Sequence, residues 1–435
     1  MYSSSVNSGM AKFAPPSRAP LTLTWDWAEK SYIVFAFVMF GTSFLRLFVG
    51  GGENTAAVRV AYVSLYAAGG MLCVLHYRSV LEVIRHSPIF VLLLLFPLIT
   101  IIWSVNREET IERSIAVLGP SLLALYIGSV YRLRSIILFL AAAHLIMSIL
   151  DIFAIVAIPT IGIMQEEEWN GAWRGVHGHK NGFGAAAAFG CLALLFASAV
   201  VDGFWRIVTL AGLALNLVFL AVSDSLTSQL VLPMALCAFV VGLGRGWSRL
   251  YVFLLSAGVC CLLFLIVLVL QDGPGALISA LGRSSTMSNR MPLWSELTSV
   301  IAQRPMLGYG YAAFWESGLP ELHRIARNLQ FVPFYSHNGA LELILDGGFA
   351  LLMTSLVAVL SAMVRASRMI RPGIIYSYYP LAFFLGFVLS NISEATFLAR
   401  NSLLWMQFIL FSALAIRTVR IKILGQITPD KERSS

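Results

Sequence analysis

Charged side chains are scarce in this chain. Only 12% of its 435 residues are Asp, Glu, Lys or Arg, whereas 58% are hydrophobic. A soluble domain of this length carries about twice that charged fraction. Apolar runs of about 20 residues recur along the whole length, and each is long enough to cross a bilayer as a helix. The sequence therefore predicts an all-α integral membrane protein.

Cysteine is rare, and nucleotide and zinc motifs are missing. The cysteines all lie in apolar segments and resemble small buried hydrophobic residues more than a disulfide or zinc framework; they are Cys73, Cys191, Cys237, Cys260 and Cys261. No P-loop, no GxGxxG before a soluble helix and no zinc-finger spacing occurs. We therefore expect neither a cofactor nor a bound metal. The net charge of +8 does not indicate nucleic acid, because most basic residues lie in short connections between apolar runs.

The apolar runs predict about twelve transmembrane helices. They are 32–50, 58–76, 87–104, 115–131, 135–158, 182–201, 204–222, 226–244, 250–270, 339–364, 376–392 and 402–418. The chain then divides into an N-terminal tail (1–31), helices one to nine (32–270), a large loop before the tenth helix (271–338), helices ten to twelve (339–418) and a C-terminal tail (419–435). The N-terminal tail lacks an apolar h-region, so we interpret it as a cytoplasmic segment and not as a signal peptide.

Lysine and arginine set the orientation. One set of connections, which includes both tails, carries 18 of the 30 Lys and Arg residues, and the other set carries 11. Short cytoplasmic loops are the ones enriched in these residues. Both termini are therefore predicted to be cytoplasmic, and the loops 159–181 and 271–338 are predicted to lie on the outer face.

A first polar cluster, 173–182, precedes a helix rich in glycine and alanine. Glycines let backbone N–H groups approach a ligand, and a helix N-terminus favours an anion. Trp173 and Lys180 could instead be interfacial anchors. A metal site at His177 and His179 is a further alternative, with a carboxylate from 166–168. The candidate ligand-binding residues are Arg174, His179, Lys180 and Asn181.

A second cluster lies within the large loop. Apolar residues at helical spacing predict an amphipathic helix over 291–303 that lies on the membrane. Arg290 stands at its start, where its charge opposes the helix dipole, and a residue so placed can be there for a ligand. Arg304 precedes a Gly-Tyr-Gly-Tyr turn, 308–311, which together with Phe314 and Trp315 offers either an aromatic surface for sugars or an interfacial belt.

A third cluster closes the large loop at Ser336-His337-Asn338. Asn338, Glu342 and Asp346 are spaced four apart and share one helix face. Acids within a span face the bundle interior or a wet cavity. His337 at the mouth of such a cavity could act as a general base near neutral pH. The alternative is a capped helix start, with Asn338 as the cap.

Weaker candidates lie elsewhere. Arg46 and Asp151 fall within predicted spans and could pair, and Glu394 and Arg400 fall in the last outer loop.

These motifs, in this order, resemble the O-antigen ligase/polymerase superfamily. The pattern is Arg-Gly and His-Gly-His-Lys-Asn-Gly, then Asn-Arg-x-x-x-Trp, Arg-Pro-x-x-Gly-x-Gly and His-Asn, with Gly348 ten residues after Asn338. The His-Gly-His-Lys-Asn-Gly variant is most similar to the exopolysaccharide polymerases of Gram-negative bacteria. One departure is Leu351, which replaces a small or hydroxylated residue of the family.

The resemblance implies a membrane glycosyltransferase that needs no metal. Its substrate would be an oligosaccharide repeat unit linked to undecaprenyl pyrophosphate, polymerised into exopolysaccharide at the periplasmic face of the inner membrane with inversion at the anomeric carbon. It implies a catalytic set of Arg174, Arg290 and His337. Substrate binding would involve Lys180, Asn181, His179, Arg304, Asn338 and Glu342. The partners would be membrane lipid, a flippase that delivers the units and a chain-length regulator.

Two other functions stay open on the sequence. A ligase would use the same chemistry to pass finished glycan to lipid A core or to a protein. A transporter without catalysis would also suit intramembrane charges and about twelve spans. It predicts inverted repeats and broken helices in matching halves, neither of which is evident.

Overall fold

The structure is a bundle of α-helices. It is a computed structural model that describes residues 23–43, 56–166, 169–223, 225–237, 290–371 and 373–427. The helices of this part are α1 (Leu23–Gly41), α2 (Ala56–Leu75), α3 (Tyr77–Arg85), α4 (Pro88–Ile99), α5 (Arg107–Val130), α6 (Leu133–Ala157), α7 (Pro159–Gly162), α8 (Lys180–Ser198), α9 (Gly203–Val222), α10 (Leu226–Leu236), α11 (Arg290–Ile301), α12 (Pro320–Leu329), α13 (Gly339–Met369), α14 (Tyr379–Ser393) and α15 (Leu403–Ile427). No β-strand occurs among these residues.

Eight helices of the described part are long and apolar enough to cross a membrane: α2, α5, α6, α8, α9, α13, α14 with the turn before it, and α15. The pair α3 and α4 passes the same test together but is bent by 101°. The predicted all-α integral membrane protein is thereby confirmed. The count of about twelve stays a prediction, because the span 250–270 and part of 226–244 lie outside the described residues. Helix α1 begins at Leu23, inside the predicted N-terminal tail.

The membrane helices pack closely where small residues meet. Helix α15 packs on α5 and α13, and α8 packs on α9 and α6. At Gly128 of α5, an added Cβ would overlap the carbonyl oxygen of Leu410 in α15. Small interface residues of this kind let helix backbones approach within a bilayer. The core between α14 and α15 is aromatic, with Phe387 stacked on Phe408 at 5.3 Å between ring centroids.

Helix α13 is interrupted at Gly347–Gly348, where Gly348 has φ 66°. The break frees backbone groups that the Arg-Pro-x-x-Gly-x-Gly segment satisfies. Tyr309 N–H donates to the Leu345 carbonyl at 2.7 Å, and Phe349 N–H donates to the Pro305 carbonyl at 2.8 Å. Broken helices are stable at membrane depth only when such groups find partners. The segment 305–310, which we term the wedge, therefore fixes the first turns of α13.

The large loop before α13 has its own small core. The predicted helix over 291–303 is present as α11, and it buries Leu293, Leu297 and Val300 against Phe314 and its neighbours. That this helix lies on the membrane stays a prediction.

The aromatic residues after Arg304 also lie in cores. Tyr309, Tyr311, Phe314 and Trp315 are each at most 9% exposed. The predicted sugar-stacking surface at this turn is therefore wrong, because these rings pack inside the protein.

Candidate functional site

Glu394 is the centre of a polar cluster on the predicted outer face. Its Oε1 accepts hydrogen bonds from Asn181 Nδ2 at 2.8 Å and from Arg290 Nη2 at 3.0 Å. Its Oε2 accepts from Tyr335 Oη at 3.4 Å and lies 3.7 Å from His337 Nδ1. These five residues form what we term the Glu394 cluster. It joins the first, second and third sequence motifs to the connection between α14 and α15.

Arg290 is held by the C-terminal end of α14. Its Nη1 donates to the Ser393 carbonyl at 2.7 Å, while Nη2 binds the Glu394 carboxylate. As the first residue of α11, Arg290 is unfavourable for the dipole of its own helix. A carbonyl at the end of another helix and a carboxylate are both favourable partners for a cation. The end of α14 and the Glu394 carboxylate therefore compensate for the unfavourable position of the Arg290 charge at the start of α11.

The backbone turn before α13 fixes the position of His337. The Ser336 carbonyl accepts a hydrogen bond from Trp294 Nε1 at 2.8 Å, and the Ser336 backbone N–H donates one to Glu342 Oε2 at 2.8 Å. His337 itself has φ 53°, a left-handed conformation that is strained for a residue with a side chain. Its ring lies 3.9 Å from that of Tyr335, measured between centroids. Trp294, the last residue of the Asn-Arg-x-x-x-Trp motif, thus holds the turn that carries His337.

Asn338 and Glu342 have structural roles in this conformation. Asn338 Oδ1 accepts from the N–H groups of Ala340 and Leu341, both at 3.0 Å, so the capping interpretation is correct for this residue. Glu342 Oε1 accepts from Trp315 Nε1 at 2.8 Å. Both side chains support the His337 turn, and their predicted contact with substrate stays a prediction.

The start of α8 brings the first motif to the cluster. His179 is the N-cap, and its Nδ1 accepts from the Asn181 N–H at 3.2 Å. Burial lowers the pKa of His179, although nearby Glu394 acts to raise it. A neutral imidazole agrees with the acceptor role of Nδ1. Lys180, the first residue of α8, is buried.

Arg174 lies on its own loop. Its Nε donates to the Ile161 carbonyl at 2.8 Å and its Nη2 to the Thr160 carbonyl at 3.1 Å, and its Nη1 lies 3.6 Å from Glu166 Oε1. These contacts fold the loop that leads into the cluster, and none of them reaches Glu394.

Arg304 is also separate from the cluster. Its side chain is exposed, and its guanidinium lies 5.1 Å from the centre of the Tyr309 ring. The structure thus brings together Asn181, Arg290 and His337 of the predicted set, with His179 adjacent, but not Arg174 or Arg304.

A cavity of about 770 Å³ adjoins the cluster. This volume is in the range of ligand pockets. Where it adjoins the cluster, the cavity is lined by His179, Asn181, Tyr335 and Glu394, and it continues between helices to residues that include Gln407. The cluster therefore opens onto a space large enough for a substrate.

The electrostatics of the cluster keep Glu394 ionised. Burial raises the pKa of the Glu394 carboxyl, but His337, Arg290 and His179 more than offset this, and the pKa lies below its ordinary value of 4.5. A stable carboxylate beside a histidine ring can hold the ring in one orientation, with Nδ1 towards Glu394.

Asp151 pairs within the first motif. Its Oδ1 lies 3.5 Å from His177 Nε2 and accepts from the Val176 N–H at 2.9 Å. The other candidate partner, Arg46, lies outside the described residues. In the part of the chain that the structure describes, no three His, Cys, Asp or Glu side chains form a metal-binding group.

The sequence undervalued Glu394 and missed Tyr335. Glu394 follows directly after α14, and an acid at the outer end of a span, facing loops rich in arginine, was the available signal. Tyr335 precedes the Ser-His-Asn motif and carried no signal of its own.

Comparison with known proteins agrees with this arrangement of motifs. Residues 211–356 match the O-antigen ligase family. The chain is 24% identical over 324 residues to the exopolysaccharide production protein ExoQ of Rhizobium meliloti (strain 1021). The aligned region covers 70% of this chain and 71% of that protein. The predicted resemblance to the O-antigen ligase/polymerase superfamily, and to its exopolysaccharide branch, is therefore confirmed.

Proposed function

We propose that this multi-pass membrane protein polymerises lipid-linked oligosaccharide repeat units into exopolysaccharide. The site would lie on the periplasmic face of a bacterial inner membrane, with both termini cytoplasmic. The observation that carries the proposal is the Glu394 cluster, in which Arg290 and His337 both lie against Glu394, a residue that lines the cavity. The family match and the similarity to ExoQ support the same class of chemistry.

The proposed reaction is a direct displacement. The hydroxyl oxygen of the acceptor unit attacks the anomeric carbon of the growing chain, and the bond from that carbon to undecaprenyl pyrophosphate breaks. The pyrophosphate leaves with the bonding electron pair, and the hydroxyl proton passes to His337. One displacement inverts the anomeric carbon. No nucleotide sugar is needed, because the bond to pyrophosphate is already activated.

Arg290 is the proposed partner of the leaving pyrophosphate. A guanidinium carries five N–H donors, and the contacts to Ser393 and Glu394 use one from each Nη atom. The remaining donors can bind a phosphate oxygen as charge builds on it. Arg174 stays a candidate second cation, with its loop bordering the cavity through Glu166.

His337 is the proposed base, and Glu394 is a positioning residue that acts through it. A carboxylate near Nδ1 directs the proton of a neutral ring to that nitrogen and leaves Nε2 to accept the hydroxyl proton. The carboxylate also stabilises the imidazolium that then forms.

The test is the size of glycan made by a deletion strain that carries wild type or His337→Ala. Single repeat units with the variant, and polymer with wild type, are expected. Normal polymer in the deletion strain would remove this protein from glycan assembly and favour a transporter.

A ligase is the second candidate, because the matching family is described by that activity. It would pass finished glycan to lipid A core or to a protein. The same experiment separates the two, since loss of a ligase strands long chains on the lipid carrier, whereas loss of a polymerase strands single units.

A further inference from the structure

Two buried polar side chains at the inner end of the cavity have unpaired atoms. Gln407 on α15 is fully buried, and neither its Oε1 nor its Nε2 has a hydrogen-bond partner among the described residues. His144 on α6 is 3% exposed, and its Nε2 is likewise unpaired there. Both residues line the cavity.

Such unpaired groups are costly inside a membrane protein. A buried donor or acceptor without a partner loses its hydrogen bonds to water and gains none in return, and a hydrocarbon side chain at the same helix position would avoid that cost. The same bundle pairs the donor group of another buried amide: Asn216 Nδ2 donates to Ser148 Oγ and to the Gly212 carbonyl, both at 2.9 Å. The donor group of an amide that supports the fold is thus paired, whereas both polar atoms of Gln407, a residue that lines the cavity, are unpaired among the described residues.

The lining of the cavity selects the chemistry of the ligand. Its charged residues are Glu166 and Glu394, and no Lys or Arg side chain of the described part lines it. A phosphate would lack a cation there, and a lipid tail would leave the amide unpaired. A carboxamide offers both a donor and an acceptor, which matches hydroxyl groups. Trp169 and Tyr335 also line the wall and provide apolar ring faces for sugar C–H groups.

We infer that the inner end of the cavity is a carbohydrate subsite, in which Gln407 and His144 hydrogen-bond the hydroxyl groups of an uncharged sugar. This inference rests on the proposed function, and it adds that a sugar of the repeat unit enters the bundle beyond the Glu394 cluster. The pyrophosphate would stay at the Glu394 cluster, where Arg290 contacts Glu394.

The test uses Gln407→Leu in the full-length protein purified in detergent. The probe is the oligosaccharide released by partial acid hydrolysis of the exopolysaccharide that the source strain makes. Binding is followed by calorimetry, and thermal unfolding is measured on the same samples. We expect binding to weaken about tenfold, as the loss of one or two hydrogen bonds implies. We also expect the unfolding temperature to stay equal or to rise, because an unpaired buried amide has been removed.

Ser412→Ala is the matched control. Ser412 lies on the same helix, is 3% exposed and has an unpaired hydroxyl among the described residues, but it does not line the cavity. It should change neither binding nor unfolding. His144→Leu is the second variant and should also weaken binding of the oligosaccharide.

Equal binding by wild type and Gln407→Leu would overturn the inference, and would mean that the amide holds only water. A large fall in the unfolding temperature with Gln407→Leu alone would also overturn it, because the amide would then support the fold. If wild type binds the oligosaccharide through Gln407 but forms no polymer from lipid-linked units, the subsite stands and the proposed polymerase function fails.

Discussion

Arg290 and Glu394 lie 104 positions apart in the chain, and their side chains meet at 3.0 Å. The contact ties the large loop before α13 to the connection between α14 and α15. It also places a cation next to the carboxylate that faces His337. The charge of the proposed site and the orientation of His337 thus depend on Arg290 and Glu394, which come from distant segments of the chain.

Glu394→Gln should lower polymer formation by about 100-fold, at the lower end of what positioned acid–base groups contribute. The amide keeps the shape of the side chain but neither directs the Nδ1 proton of His337 nor stabilises an imidazolium. The measurement is the rate of chain growth from lipid-linked units in membranes with matched protein levels. Glu112→Gln is the control, since Glu112 is exposed and pairs with Arg59 at 3.7 Å. A similar loss in both variants would contradict a special role for Glu394.

Arg290→Lys should reduce chain growth about tenfold or more, despite conserving the charge. A lysine presents a single ammonium group and cannot reproduce the planar fork that contacts Ser393 and Glu394 together. Rates at several donor concentrations will show whether binding or turnover is lost. Arg324→Lys is the control, because Arg324 forms a half-exposed pair with Glu296 at 3.1 Å and should be unaffected. Full activity of Arg290→Lys would show that chain growth does not require residue 290 to contact Ser393 and Glu394 at the same time.

Acid should weaken the fold through Glu394. Its pKa in the folded protein is below the ordinary value of 4.5, so the unfolded chain binds this proton more readily. The resulting stabilisation is fully present above pH 4.5 and is lost as the pH falls through the folded-state pKa. Thermal unfolding temperatures of wild type should therefore decline below pH 4.5 more steeply than those of Glu394→Gln. Parallel curves for the two proteins would show that the carboxylate does not contribute.

Local patterns predicted the local features well. Helical spacing of Leu293, Leu297 and Val300 predicted α11, whose observed range begins at Arg290. The order of motifs predicted that Arg290 and His337 share one site, and the structure brings both to Glu394. Such features follow from neighbouring residues or from an order of motifs that resembles a known family, and both can be read from a single sequence.

Other features of the site depend on contacts between segments that are far apart in the chain, and the sequence did not predict them. The role of Glu394 depends on contacts with three other segments of the chain, and no local spacing reveals them. Tyr309 and Trp315 looked like ligand-facing rings but are buried, because the break in α13 draws their segment inward. Arg174 looked like part of a cation pair, yet its guanidinium binds carbonyl groups of its own loop.

Gly348→Ala should destabilise the protein strongly, because two penalties coincide. Gly348 has φ 66° and ψ −166°, a region that essentially only glycine adopts and that costs a residue with a side chain about 1–3 kcal/mol. An added Cβ would also overlap the backbone of Met306, in the wedge that satisfies the broken helix. Gly318→Ala is the comparison, since Gly318 also has a positive φ, 64°, but nothing within 4 Å of an added Cβ. The yield of folded protein and its unfolding temperature in detergent should fall much further for Gly348→Ala than for Gly318→Ala. Equal effects would mean that the wedge against α13 contributes nothing beyond backbone strain.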